Sequence, residues 1–420
     1  MKKTVAFLTA FVTAVICCSC SNSTDSSQTE VKSSSSVVSE KDDTSSAAEI
    51  ESCKITDENF NTYVSNTYIT TGNNGLVKSA EEVTYRVYLP VEEYGELEYC
   101  FYFSNTVDST YKQGQPVYVG EAGGDYTISS ACIADGGTSV DDEITNRTDV
   151  TFDGEKGKEV SSGETYWSDP VTFDVPDGHY LVWEWTLTGE NIPSTYTSNL
   201  TDGKSAEPDD DFAYCDNVPQ PQLIGAKREN VKTRVTAIGD SITQGCMTEY
   251  MKYEFWAAGI AKQLDADCSF WNCGLGWSRS SDLATCGNWL GRALNSDVVI
   301  VAFGTNDISS GEYGGDGGNT AQEIDGYVRT ILDQLKAAGC KVILFNSPPQ
   351  DYTGELEETR LEYNELLKTT AEEYGAEYFD FASYLCDPET PATAKYGGHP
   401  NGEGGKIVAD AFMAQYKDLF

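Results

Sequence analysis

Histidine is nearly missing from this chain, with His179 and His399 the only two in 420 residues. A site built from several imidazoles is therefore excluded, and any histidine-dependent chemistry has two candidates. Of thirteen cysteines, three fall in the first 20 residues. The other ten form no C-x-x-C pair and show no metal-ligand spacing. Positive charge is also scarce, with 28 Lys and Arg against 67 Asp and Glu, a formal net charge of −39. A nucleic-acid partner is excluded by that balance, because binding phosphates requires a basic stripe. Long apolar runs are lacking too. The longest, Val5–Ile16, is too short to cross a bilayer as a helix.

That run follows Lys2 and Lys3 and precedes "CCSC", so the first 20 residues read as an export signal. The flank resembles a bacterial lipoprotein signal, which implies lipidation at Cys20, with Cys18 the second candidate. Residues 21–52 are dominated by Ser, Thr, Asp and Glu and have little to bury, so a disordered tether is expected there. The expectation is an exported protein at the bacterial cell surface, touching the membrane only through that N-terminal anchor, or otherwise secreted.

Residues 53–226 alternate apolar and polar side chains in stretches such as "VTYRVYL" and "ELEYCFYF", divided by Gly, Asp and Asn clusters. Leu181, Trp183, Trp185 and Leu187 share one face of a strand. The pattern predicts an antiparallel β-sandwich of jelly-roll-like type. His179 opens that strand and reads as a structural strand-end residue. After the Pro-rich "CDNVPQPQLIGAKRENVKT", residues 227–420 change to strands alternating with helices: an α/β domain with a parallel sheet and helices on both faces. Sites in such sheets form at the C-terminal strand ends.

Three strand exits carry candidate chemistry. "GDSITQG" puts Ser241 after a strand, with glycines for a tight turn and a helix start offering free N–H groups; a plain N-cap serine is the alternative. "FGTND" puts the Asn306 amide at another exit, where it can face an oxyanion or merely shape a turn. "GGHPNGEGG" places His399 before the last helix in a glycine-rich loop. Together and in order, these motifs resemble the SGNH (GDSL-type) hydrolases, over about 190 residues. The resemblance implies a serine nucleophile at Ser241 and a base at His399. It further implies an oxyanion hole from the Ser241 N–H, a second-block glycine N–H and the Asn306 amide.

Two positions depart from that family. Its second block reads like N-x-x-x-x-G, whereas "NCGLGWSRSSD" has Trp277 at that spacing from Asn272 and Gly276 one residue earlier. Gly276 is taken as the donor, since only a backbone N–H is required. Its aspartate three residues before the histidine is here Tyr396, a neutral phenol that cannot stabilise an imidazolium as a carboxylate does. His399 is then supported by a carbonyl oxygen or by a distant aspartate such as Asp387 or Asp380, or works as a dyad. The domain order resembles two-domain bacterial carbohydrate esterases, which implies an acetylxylan-esterase-like enzyme removing O-acetyl groups from a polysaccharide or oligosaccharide. Trp277 and Tyr396, with Trp271, are candidates for stacking on sugar. No metal or organic cofactor is implied, and a monomer is expected. The alternatives are a lipolytic esterase or thioesterase on the same fold, and an inactive glycan-binding surface protein.

Overall fold

Alternating burial along two long strands, Gly75–Leu89 and Leu181–Tyr196, organises the first half of the chain. In the computed structural model, which describes residues 52–69, 72–109, 111–112, 115–116, 119–309 and 318–420, these strands pair antiparallel along nearly their whole length. They form the centre of an eight-stranded sheet. A five-stranded antiparallel sheet, centred on Gly95–Ser104, packs against it. The alternation read from the sequence holds: Leu181, Trp183, Trp185 and Leu187 are all buried. Across the two sheets Phe101 meets Trp183 with ring centroids 4.7 Å apart, and Phe103 meets Trp185 at 5.3 Å. His179 lies just before this strand, its Nδ1 2.7 Å from Asp135 Oδ1, in the structural role expected of it.

The second half is a five-stranded parallel sheet in the order Cys268–Gly274, Thr233–Gly239, Val298–Ala302, Lys341–Phe345, Glu377–Phe379. Continuous apolar strands such as "VVIVA" are buried on both faces because helices cover both. Val298 and Ile300 face the layer of Trp256–Ala261 and Gly402–Tyr416, while Val299 and Val301 face that of Ala321–Ala337 and Glu355–Tyr374. The expected three-layer α/β architecture, preceded by antiparallel sheets, is thus observed. Gly239 pairs with both Gly274 and Ala302, so the first three strands end at one level. The strand order reverses between the first and third strands, which opens a crevice above their C-terminal ends.

The two halves share apolar contacts and buried charges. Phe60 stacks on Trp271 at 6.2 Å, and Cys53 forms a disulfide with Cys286. Trp271 is therefore a core residue and not a sugar platform. The loop after Gly95–Ser104 carries Asp108, which receives both terminal nitrogens of Arg292 from the helix Asn288–Ala293, at 3.1 and 3.4 Å. These side chains are 2% and 1% exposed.

Two charges so buried depend on each other, since either alone keeps its desolvation penalty. Arg292→Met is expected to lower unfolding free energy in urea by about 3–5 kcal/mol, and Arg292→Met with Asp108→Leu by much less. A single-variant loss under about 1 kcal/mol would contradict this account of the interface.

Candidate functional site

The first strand ends at Gly239, where an added Cβ would lie 2.2 Å from Thr243 Oγ1 and 2.3 Å from the Ala302 carbonyl oxygen. Only glycine lets the chain turn so tightly between strand and helix. Asp240 caps the short helix Ser241–Gln244, its Oδ1 accepting from the Ile242 N–H at 2.9 Å. Ser241 is therefore the first helical residue and not the cap, and its amide belongs to the turn that has no intrahelical acceptor. Burial pushes the Asp240 carboxyl up to about 7. The helix stops at Gly245, in the left-handed region at φ 99°.

His399 arrives from the other end of the domain. Its Nε2 lies 2.8 Å from Ser241 Oγ, across 158 residues of sequence. For Nε2 to accept the serine proton, the ring must carry its own proton on Nδ1. The loop is braced on both sides. Gln350 Nε2 donates to the Gly398 carbonyl at 2.8 Å, and Asn401 caps the final helix through its Oδ1, which accepts from the Gly404 N–H at 3.1 Å. Burial lowers the His399 pKa below the ordinary 6.5, and among the described residues no carboxylate opposes that shift. The ring is held by its loop and by packing.

Asp387 and Asp380 do not supply the missing carboxylate. Asp387 Oδ1 accepts from the Glu389 and Thr390 N–H groups in its own turn, at 2.8 and 3.2 Å. Asp380 Oδ1 accepts from Asn346 Nδ2 at 2.8 Å. Neither bonds His399 among the described residues. Tyr396 is half-buried against the final helix, with an added Cβ on Gly404 only 2.8 Å from its own Cβ. That packing fixes the loop from below.

The loop after the second strand is pinned at alternate residues. The Gly274 N–H donates to Asn272 Oδ1 at 2.8 Å, and the Gly276 N–H donates to Gln244 Oε1 at 2.7 Å. Ser278 Oγ donates to the Leu275 carbonyl at 2.7 Å, and the Ser280 N–H to Asp307 Oδ1 at 3.0 Å. Gly276, the expected oxyanion donor, is thus corrected: its buried N–H is already engaged by the Gln244 carboxamide. Trp277 follows with a left-handed backbone, φ 67°, the conformation glycine adopts without strain. Asn306, at the exit of the third strand, donates from Nδ2 to the Ser278 carbonyl at 3.0 Å, leaving its second Nδ2 hydrogen for another acceptor. The adjacent Asp307 is buried, which raises its pKa.

Sequence reasoning missed Gln244. Beyond Gly276, its Nε2 donates to the Tyr196 carbonyl at the end of the long antiparallel strand, at 3.3 Å. The first-half strands reach this place elsewhere too: Asn74 Oδ1 accepts from the Tyr196 N–H at 3.1 Å, and an added Cβ on Gly72 would press on Leu275 at 2.9 Å. The position of Gln244 inside "GDSITQG" was visible, but its partners Gly276 and Tyr196 are 32 and 48 residues away. Residues 1–51, with Cys20 and Cys18, lie outside the described residues.

Residues 237–407 match the GDSL-like Lipase/Acylhydrolase family. No curated protein sequence matches the chain. Among solved structures, the chain is similar to a member of the lipolytic protein G-D-S-L family from Veillonella parvula DSM 2008, at 20% identity and TM-score 0.35, covering 44% of this chain and 98% of that one. It is similar to LAE5, an alpha/beta hydrolase enzyme from the metagenome of Lake Arreo, Spain, at 18% identity and TM-score 0.37, covering 45% and 97%. It is also similar to Axe2, an acetylxylan esterase from Geobacillus stearothermophilus, at 20% identity and TM-score 0.35, covering 44% and 94%.

A histidine must be neutral to accept a proton, so activity falls as pH drops through its pKa. With that pKa lowered by burial, the acid limb of kcat/KM on a nitrophenyl ester is expected below pH 6.5. Asp380→Asn and Asp387→Asn are expected to stay within about tenfold of wild type, since loss of a true third member costs on the order of 10⁴. A midpoint above 6.5, or a large loss in either variant, would contradict a ring held without a carboxylate.

Proposed function

We propose that this chain, whose residues 237–407 form a GDSL-like lipase/acylhydrolase domain, is a serine esterase that removes O-acetyl groups from a polysaccharide or oligosaccharide. The observation that carries the chemistry is the 2.8 Å contact between Ser241 Oγ and His399 Nε2. A hydroxyl is a weak nucleophile until a base takes its proton. In the proposed reaction His399 Nε2 takes that proton as Ser241 Oγ attacks the acetyl carbonyl. Negative charge moves to the carbonyl oxygen, where the Ser241 N–H and the second Asn306 Nδ2 hydrogen receive it. Each such donor is worth roughly 3–4 kcal/mol of barrier. His399 then protonates the departing sugar oxygen. Water, deprotonated by the same imidazole, attacks the acetyl-serine and frees acetate. The work is done by a dyad, because Asp380 and Asp387 are both engaged elsewhere.

The choice of acetyl over longer acyl groups rests on the resemblance to two-domain carbohydrate esterases and on the acidic, aromatic-rich chain, while the small cavities beside the nucleophile helix lie apart from Ser241 and His399. One adjoining apolar cavity, lined by Ile242, Cys246, Phe255, Phe381 and Pro400 among others, has a volume of about 10 Å³. Another, reaching Asp240, Thr243 and Phe303, also holds about 10 Å³. Each has room for a single water, and neither is lined by Ser241 or His399. A lipolytic site would gain roughly 0.8 kcal/mol per buried methylene and so would favour long chains.

On nitrophenyl esters kcat/KM is expected to fall from acetyl to butyryl to octanoyl, with acetate released from acetylated xylan or a related glycan. Ser241→Ala and His399→Ala are each expected to remove most of this turnover while the protein stays folded by circular dichroism. Rising preference with chain length, with no acetate from any glycan, would move the assignment to the lipolytic alternative. A wild-type protein inactive on every ester would leave only the glycan-binding reading.

A further inference from the structure

Two loops meet beside the nucleophile helix, one from each half of the molecule. The first joins the strands Leu181–Tyr196 and Asp202–Ala206; the second spans residues 246–253, directly after Gly245. They are cross-linked: the Met251 N–H donates to the Asn199 carbonyl at 2.9 Å, Cys246 Sγ lies 3.1 Å from Ser198 Oγ, and Tyr250 Oη donates to the Asp202 carboxylate. Of thirteen non-glycine residues with positive φ among those described, five stand here: Ser198, Asn199, Met247, Met251 and Tyr253. Such unfavourable backbone persists only where the surroundings enforce it, and it concentrates at functional sites.

The same two loops, with the short strand Ala213–Tyr214, concentrate exposed apolar surface. Six large hydrophobic side chains are exposed among the described residues, and three are here: Tyr214 at 51%, Met247 at 74% and Tyr250 at 40%. The two tyrosine hydroxyls are tied down, Tyr250 Oη to Asp202 and Tyr214 Oη to Thr197 Oγ1 at 3.0 Å, which fixes the rings while their faces remain open. Tyr196, half-buried, connects this surface to the site through the hydrogen bond its carbonyl accepts from Gln244. Rigid tyrosines give large contact area at little entropic cost, and an exposed cluster of them on a soluble fold marks a binding surface.

We infer that Tyr214, Tyr250 and Met247, held by the two cross-linked loops, form a platform on which pyranose rings of an uncharged glycan stack beside Ser241. The apolar C–H face of a pyranose matches an aromatic ring face, and the exposed Asp216 carboxylate next to Tyr214 offers an acceptor for sugar hydroxyls. Acidic neighbours and the overall charge of −39 oppose a polyanionic chain or an anionic membrane surface. The assignment gives the first half of the molecule a direct part in substrate selection. It rests on the esterase reading for why a glycan should come to this place, but binding can be measured without hydrolysis.

Calorimetric titration of the full protein with xylohexaose, mannohexaose and cellohexaose tests it, none of these probes carrying an ester. At least one is expected to bind wild type. Tyr214→Ala and Tyr250→Ala are each expected to weaken that binding about tenfold, as loss of a buried aromatic anchor does, with kcat/KM on nitrophenyl acetate within twofold of wild type. Melting temperatures near wild type would verify folding; if Tyr250→Ala fails that check, Tyr214→Ala and Met247→Ser carry the test. Absence of binding by wild type at millimolar sugar, or equal binding by the variants, would overturn the platform even if acetate is released from glycans. Binding that the variants lose, without acetate release from any glycan, would uphold the platform and reject the deacetylase reading. Variants slowed only on micellar octanoyl esters, with no sugar bound, would make this a lipid-facing surface and overturn the proposal.

Discussion

One hydrogen bond, from Ser241 Oγ to His399 Nε2, sets the demands that the rest of the structure meets. Its two ends belong to the turn after the strand Thr233–Gly239 and to the loop between the helices Phe381–Leu385 and Gly402–Tyr416, so it survives only while sheet and helices keep their packing. The level ends of the strands, the close approach at Gly239 and the cap at Asp240 fix the serine. Among the described residues, no carboxylate hydrogen-bonds the histidine. Its position comes from the Gln350 contact with Gly398, the Asn401 cap and the packing of Tyr396 on the final helix. An imidazole oriented by backbone and packing keeps a low proton affinity in the resting state, because no negative charge favours its protonated form.

The carboxamide of Gln244 extends this arrangement across the molecule. Its oxygen takes the Gly276 N–H and its nitrogen reaches the Tyr196 carbonyl, so one side chain spans from the loop after Cys268–Gly274 to the tip of an antiparallel strand. With the Asp108–Arg292 pair and the Phe60–Trp271 stack, the antiparallel sheets are tied to the parallel sheet that carries Ser241. A shift of either half would be felt within a few bonds of Ser241.

Most of the architecture was legible in the sequence because it is written in periodicity. Ile324, Val328, Ile331, Leu332 and Leu335 mark one buried helical face, and Leu181, Trp183, Trp185 and Leu187 one buried strand face. Ser241 and His399 were legible because strand exits and glycine-rich turns leave local signatures. What escaped depends on partners distant in sequence. Spacing alone could not show that the Gly276 N–H is spent on Gln244, that Asp380 and Asp387 turn to local partners, or that Trp271 packs against Phe60. Trp277 is an instructive case: nothing in the residue type announces the left-handed backbone it adopts.

The central claim is that Ser241 is a nucleophile activated by His399 without a third carboxylate. Its most direct test is covalent capture: treat the protein with a fluorophosphonate, which phosphonylates only an activated serine, and locate the adduct by peptide mass spectrometry. The account predicts one adduct, on the peptide containing Ser241, formed quickly in wild type and in Asp380→Asn and Asp387→Asn, and abolished in His399→Ala. An unlabelled wild-type protein, an adduct on another serine, or labelling that persists without His399 would contradict it.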